Sequence, residues 1–310
     1  MGLSVRMTDK REYFHITTKT KNNTPLRTYI LIITTKYLHE TNLPISHSID
    51  LGGRMKGCVR IVVEVQKQGV SDPRYADIEN AKKIANISWI GFNKKCAVNH
   101  DLPSGTGTRH MVRTAMTIVL STYSWIKSFS LTDASKVECN NFKVNLSHIS
   151  LSLHGKTYYE RYFHAHLDVS DQPRYLKGID LLKYQVMPSD DLFQLIDPQY
   201  KGLATFKKAY NPKLTNIEYF NKLQQQCNED GVQYCEITET LLEKIMNQFF
   251  EKNVLFHEWF IDAEDVKRIP TLEWSECVDA KRIHEVDMMA QEEFVKGGRP
   301  ASAIFGAGDY

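Results

Sequence analysis

The chain has 310 residues and a mass of 35.8 kDa, with 42% hydrophobic and 25% charged residues, a formal net charge of +2 and a pI near 8.1. That composition fits one large or two ordinary globular domains and excludes a disordered chain. The near-balance of charge gives no reason to expect nucleic-acid binding.

No secretory leader is expected. The opening MGLSVRMTDKREYF lacks an apolar stretch, and Arg6 stands where a myristoylation site needs Ser or Thr. The longest apolar run, Tyr29 to Ile33, is too short to span a membrane, so a cytoplasmic, membrane-free protein is expected. The six cysteines, Cys58, Cys96, Cys139, Cys227, Cys235 and Cys277, form no CxxC pair. Structural zinc is therefore not expected, and in a reducing compartment all six would be free thiols. The sequons at Asn22, Asn86 and Asn145 are then chance matches.

Residues 1–100 read as strand-rich. RTYILIITTKYL (27–38) is a dense run of β-branched and aromatic residues. CVRIVVEV (58–65) sets Val59, Ile61, Val63 and Val65 on one face, after a turn at Leu51-Gly-Gly-Arg and before a loop at 69–75. Residues 82–98 hold another strand or a hairpin, with Ile87, Trp89 and Gly91 alternating against Ile90 and Phe92. At DLPSGTGTRHMVRTAMTIVLSTY (101–123) the pattern changes. Pro103, Ser104 and two glycines break the strand, and Met111, Val112, Ala115, Met116, Val119 and Leu120 then recur at helical spacing. Alternation returns at 125–135, with Trp125, Lys127, Phe129 and Leu131 on one face. Residues 146–163 read as a helix with a break at Gly155.

Beyond residue 170 the expectation is a mainly helical extension (171–310) after a first domain at 1–170. A short helix is expected at 190–196. Thr215/Glu218 and Thr240/Glu243 read as capping boxes. The second heads a helix with Leu241, Leu242, Ile245, Met246, Phe249 and Phe250 on one face. Residues 281–295 suggest a final helix, and the small-residue tail GGRPASAIFGAGDY reads as irregular. There is no internal repeat.

Gly105-Thr106-Gly107-Thr108 lies between a strand and a helix. The unpaired N–H groups and positive dipole end of such a helix suit a phosphate, and glycines let the backbone approach it. The same pattern also serves as a plain turn and cap. No Lys-Ser/Thr pair follows, which excludes a Walker A loop. No third glycine and no βαβ series follow, which argues against a Rossmann site.

The stretch GTGTRHMVRTAM … FSLTDAS … ISLSLHGKTYYERYF resembles the GNAT superfamily of N-acetyltransferases, over about 60 of the 310 residues. It is most similar to GNAT-like proteins of giant DNA viruses and algae, matched at the G-T-G-T segment, at Leu131, Asp133 and Ser135, and at Gly155 to Glu160. The resemblance implies an α+β fold, a mixed central sheet flanked by helices, and an acetyl-CoA pyrophosphate cradled by Gly105, Thr106, Gly107, Thr108 and Arg109. It also implies a thiolate proton donor at Tyr159, next to Tyr158, and an amine acceptor.

The sequence departs from that pattern in three places. Leu102 stands at the Arg/Gln position, Tyr162-Phe163-His164 replaces a Gly-Phe, and the strand from Asn93 to His100 lacks the usual Glu base. His100 or Asp101 would then act as base. Cys96 reads as a buried, inert thiol. His164 and His166 would share a strand face but lack a third ligand, so no metal is expected. Asp133 and Ser135 read either as bracing the turn after their strand or as functional. Two functions follow. One is an acyl-CoA N-acyltransferase. The other is a non-catalytic GNAT-fold component, such as a virion protein, that docks other protein subunits through its C-terminal extension.

Overall fold

The computed structural model describes residues 7–19, 25–38, 43–53, 57–64, 83–91, 94–98, 101–102, 106–139, 142–186, 193–194, 196, 202–251, 254–269, 277–283 and 304–305. It is an α+β structure in two compact units. One comprises Met1–Leu131 and Phe260–Ala303; the other comprises Thr132–Trp259 and a short C-terminal piece. The expected boundary at residue 170 falls inside the second unit.

The first unit is built on strands β1 (Met7–Lys19), β2 (Pro25–Leu38), β3 (Leu43–Gly52), β4 (Gly57–Glu64), β5 (Ile84–Ile90) and β6 (Ser128–Thr132). Helix α1 (Thr106–Thr122) joins β5 to β6. Antiparallel neighbours run from β1 through β5. Strands β5 and β6 are parallel, with Ile84 opposite Ser128 and Asn86 opposite Ser130. Alternation explains the packing. Leu31, Leu51 and Val59 lie in one cross-strand row and are all buried, with Ile49, Ile61 and Ile87 beside them. The apolar residues of α1 pack on β3 and β4.

The second unit opens with the hairpin β7 (Lys136–Cys139) and β8 (Phe142–Asn145). Helices α2 (Leu146–His154) and α3 (Tyr158–Phe163) follow, then the short strand β9 (His166–Leu167). Next come α4 (Gln172–Tyr184), α5 (Leu203–Ala209), α6 (Asn216–Asp230) and α7 (Tyr234–Phe249). The expected break is present: Gly155 ends α2 at φ 61°, a left-handed conformation that costs glycine nothing. Thr215 and Glu218 form the expected capping box of α6.

Strand β10 (Glu258–Asp262) follows β6 in the sheet order, and β11 (Cys277–Ile283) closes the other edge against β1. Strand β12 (Ile304–Phe305) pairs in parallel with β7.

Several expectations are corrected. Residues 281–283 belong to strand β11, not a helix, because the open edge of β1 supplies a non-local partner; 284–295 lie outside the described residues. Thr240 sits inside α7, which begins six residues earlier, so Thr240/Glu243 is not a capping box. The six apolar residues expected to share a face of that helix are buried all the same. Of 190–196 only 193, 194 and 196 are described, and the helices before and after it in the chain, α4 and α5, were not expected. Trp125 precedes β6 and is 39% exposed, so it shares no buried face with Phe129. The tail contributes β12 rather than being wholly irregular.

Among the described residues four cysteines are paired, contrary to the free-thiol expectation. Cys58 bridges Cys96 and Cys139 bridges Cys235, with Cα atoms 5.9 and 6.0 Å apart; Cys227 is free and buried. Spacing along the chain carries no information on this proximity, which the return of distant segments creates. Closing 38 and 96 residues would stabilise each unit by about 4 to 5 kcal/mol on a loop-entropy account.

Candidate functional site

The segment leading from β5 towards α1 is tied down at every described step. Gly91 donates its N–H to Cys58 O at 2.7 Å, and the disulfide holds Cys96 against β4. A single 3-10 turn, Lys94–Cys96, lies so close to Gly53 that a Cβ there would meet Lys95 O at 1.9 Å. Val98 N–H bonds Thr28 O at 2.7 Å, Leu102 N–H bonds Lys94 O at 2.8 Å, and Arg27 Nη1 donates to Asp101 O at 3.2 Å. Leu102 is 2% exposed, which explains its type: the side chain fills the core.

Two tyrosine–histidine pairs clamp α1 onto the sheet. Near its start, Tyr29 of β2 shares a 2.7 Å hydrogen bond with His110 Nδ1. Just past its end, Tyr123 bonds His47 of β3. Burial, reinforced by the charges of Arg27 and Arg113, pushes His110 down to about 4, so its ring is neutral at pH 7. Arg113 is anchored by Nη1 to Ile269 O at 3.2 Å. In the opening turns of α1, Thr108 Oγ1 and His110 Nε2 are buried without a hydrogen-bond partner.

The expected cofactor residues divide accordingly. Thr106, Gly107, Thr108 and Arg109 occupy the first turn of α1, with Gly107 and Thr108 buried. Gly105 and the expected base His100 lie outside the described residues. Asp101 is exposed. Cys96 is buried and inert as expected, but as half of a disulfide.

In the second unit, residues from both motif segments of the resemblance meet. Ser135 N–H donates to Asp133 Oδ1 at 3.3 Å, and the Ser135 hydroxyl bonds both the Asp133 carboxyl and Tyr159 OH, the latter at 2.8 Å. Asp133 therefore braces the turn after β6. It is 1% exposed, its Oδ2 has no partner, and burial pushes its carboxyl up to about 7. Tyr159 is fully buried, and burial followed by the Asp133 charge raises its hydroxyl far above the ordinary range. Beside it, Glu160 and Thr157 form the capping box of α3, with Thr157 N–H to Glu160 Oε2 at 2.7 Å and Glu160 N–H to Thr157 Oγ1 at 3.2 Å. Tyr175 of α4 donates its hydroxyl to the same Glu160 oxygen.

His164 does not share a strand face with His166. It caps α3 at φ 55° and is exposed, while only His166 lies in β9. Among the described residues, no group of three or more His, Cys, Asp or Glu is placed to hold a metal, and no helix is long and apolar enough to cross a membrane.

Sequence reasoning missed Arg27, Tyr29, His110 and the Thr157/Glu160 box. The box follows the same T-x-x-E rule that found Thr215, and period two puts Arg27 and Tyr29 on one face of β2. No local signal brings that face to His110. No family model, curated protein or solved structure matches the chain.

Proposed function

We propose that the chain is a GNAT-like protein that binds acyl-CoA at the N-terminal end of α1 and transfers the acyl group to an amine, forming an amide and releasing the CoA thiol. The observation that carries this reading is the pair of buried, unpartnered polar atoms, Thr108 Oγ1 and His110 Nε2, at the start of the helix that links the parallel pair β5 and β6. Buried polar groups are almost always paired, so atoms left over at a helix N-terminus fit an anionic ligand. In sheets with parallel pairs, ligands sit beyond the carboxyl ends of the strands, where such helices begin. A hydroxyl and first-turn backbone N–H groups are donors, and so is His110 Nε2 in the tautomer whose Nδ1 accepts from Tyr29 OH, which suits a pyrophosphate.

A second reading is supported by Tyr159. Its hydroxyl is buried and engaged by Ser135, as a structural brace would be. In that reading the fold is non-catalytic and serves as an assembly component, such as a virion protein in contact with other subunits.

Thermal melting separates the two. Acetyl-CoA at about 1 mM should raise the Tm by several degrees through mass action on the native state. S-acetylpantetheine, which lacks the pyrophosphate, should not. No shift with acetyl-CoA rules out the acyltransferase reading. Recovery of the chain in a stoichiometric complex with other subunits would then support the second.

A further inference from the structure

We propose that Arg27 is the cationic ligand of an anion held at the N-terminal end of α1, filling the role that an Arg or Gln at position 102 has in the family the chain resembles. The identity of that anion, the pyrophosphate of an acyl-CoA, rests on the function proposed above; the cationic site itself rests on the residues around the helix end.

Position 102 cannot supply the charge. Leu102 is buried in the core and its N–H is committed to Lys94 O. Side chains other than Leu102 have to complement an anion there, Arg109 of the first turn among them, because the helix end alone contributes only about half an elementary charge.

The helix end asks for a ligand independently of its dipole. Thr108 is the third residue of α1 and 1% exposed. Cα–Cβ bonds in a helix tilt towards the N-terminus, so its hydroxyl leans over the first turn, and that hydroxyl has no partner.

Arg27 reaches this end by strand geometry. It lies two residues before Tyr29 on β2, so the two side chains leave the same face of the sheet. Tyr29 fixes that face against α1 through its 2.7 Å bond to His110. Two residues along a strand span about 6.7 Å. From His110, the fifth residue of the helix, that step leads towards Asp101, and Arg27 Nη1 does meet Asp101 O at 3.2 Å. Asp101 lies five residues before the first residue of α1.

Charge supports the same placement. Both Arg27 and Arg113 are near enough to His110 to disfavour its cationic form. Besides Arg109 of the first turn, two guanidinium groups and the positive end of a helix thus act on one locality. Of the two, Arg113, three residues further along α1 than His110, is tied to Ile269 O. Arg27 is the one bonded to Asp101, five residues ahead of the helix. A guanidinium fork is also matched in shape to phosphate oxygens, as an ammonium is not.

The test is calorimetric titration of the full chain with inorganic pyrophosphate and with acetyl-CoA. Arg27→Met should weaken both by about ten- to a hundredfold, the range for one charge-assisted hydrogen-bonded contact. Arg27→Lys should weaken them less. Lys36→Gln, an exposed change on the same strand that removes the same net charge, should leave both unchanged. If both probes bind the wild-type chain and Arg27→Met binds them equally well, Arg27 has no such role and the acyl-CoA reading stands. If neither probe binds the wild-type chain, the acyl-CoA reading itself fails and Arg27's role falls with it. Should Arg27→Met not fold, Arg27→Lys decides: wild-type affinity in that variant overturns the proposal.

Discussion

The opening turns of α1 and the polar core around Asp133 are both buried and both rich in hydrogen-bonding groups, yet they differ in how those groups are satisfied. At α1, Thr108 Oγ1 and His110 Nε2 have no partner, and two arginines stand close by. Around Asp133, the hydroxyls of Ser135, Tyr159 and Tyr175 and the carboxyl of Glu160 are joined to one another or to the α3 cap, and of the Asp133 carboxyl Oδ2 is left over. A buried polar network that closes on itself stabilises a fold, whereas buried polar groups left open beside cations suit the ligand proposed above. On the function proposed above, the first region is the site and the second a brace, even though the second contains the tyrosine that the sequence resemblance marks for chemistry.

The brace breaks hardest at Glu160. Glu160→Ala removes the α3 capping box and leaves Tyr175 OH buried without an acceptor. A lost cap costs about 1 kcal/mol and an orphaned buried hydroxyl about 1–3 kcal/mol, so the loss should be about 3 kcal/mol. Urea melts with an unchanged m-value would read it as a lower midpoint. A loss below about 0.5 kcal/mol would mean that the network does not brace the unit.

Asp133 is the flaw in the brace, and pH exposes it. Its folded carboxyl lies at about 7 against an ordinary 3.8, because burial disfavours the charge; Tyr159 and Tyr175 feel that charge, and Ser135 bonds the carboxyl. A raised folded value means that its contribution to stability is complete below pH 4, declines as pH rises, and is gone above pH 7. The full span is worth about 4 kcal/mol, of which about 2–3 kcal/mol falls between pH 5 and pH 8. Asp133→Asn cannot ionise. The stability of the variant relative to wild type should therefore rise by that amount from pH 5 to pH 8, measured by denaturant melts at each pH. A difference that does not vary with pH would place the Asp133 titration elsewhere and leave the network without its one strained member.

Much of the framework was legible because local rules sufficed. Alternation of β-branched residues gives β2 and β4, a 3.6-residue period gives α1, and Gly155 marks the break between α2 and α3. What escaped was non-local or ambiguous. Strand β11 exists because β1 offers an edge, and no feature of residues 277–283 announces that edge. Pro173 reads as a breaker but sits in the first turn of α4, where its missing N–H costs nothing. At the candidate site, the passage from strand to helix was legible, although Thr106, Gly107 and Thr108 form the first turn of the helix rather than a loop before it. The arginine beside it was not, since Arg27 is 74 residues from Asp101 along the chain and only the sheet brings them together.

The smallest expected effect tests the contrast most directly. Thr108→Val replaces an unpartnered buried hydroxyl with a methyl of nearly the same shape, and both residues are β-branched, so helix propensity barely changes. If the hydroxyl awaits a ligand, its burial is a cost in the ligand-free chain. The variant should then be more stable by about 1 kcal/mol without ligand, and the melting shift produced by acetyl-CoA should shrink. The two signs must oppose each other. A variant that is less stable by about 1 kcal/mol would show that Thr108 Oγ1 already has a partner in the folded chain, and the opening of α1 would join the Asp133 network as a brace. A gain in stability with an undiminished acetyl-CoA shift would keep the orphaned hydroxyl but move the ligand away from it.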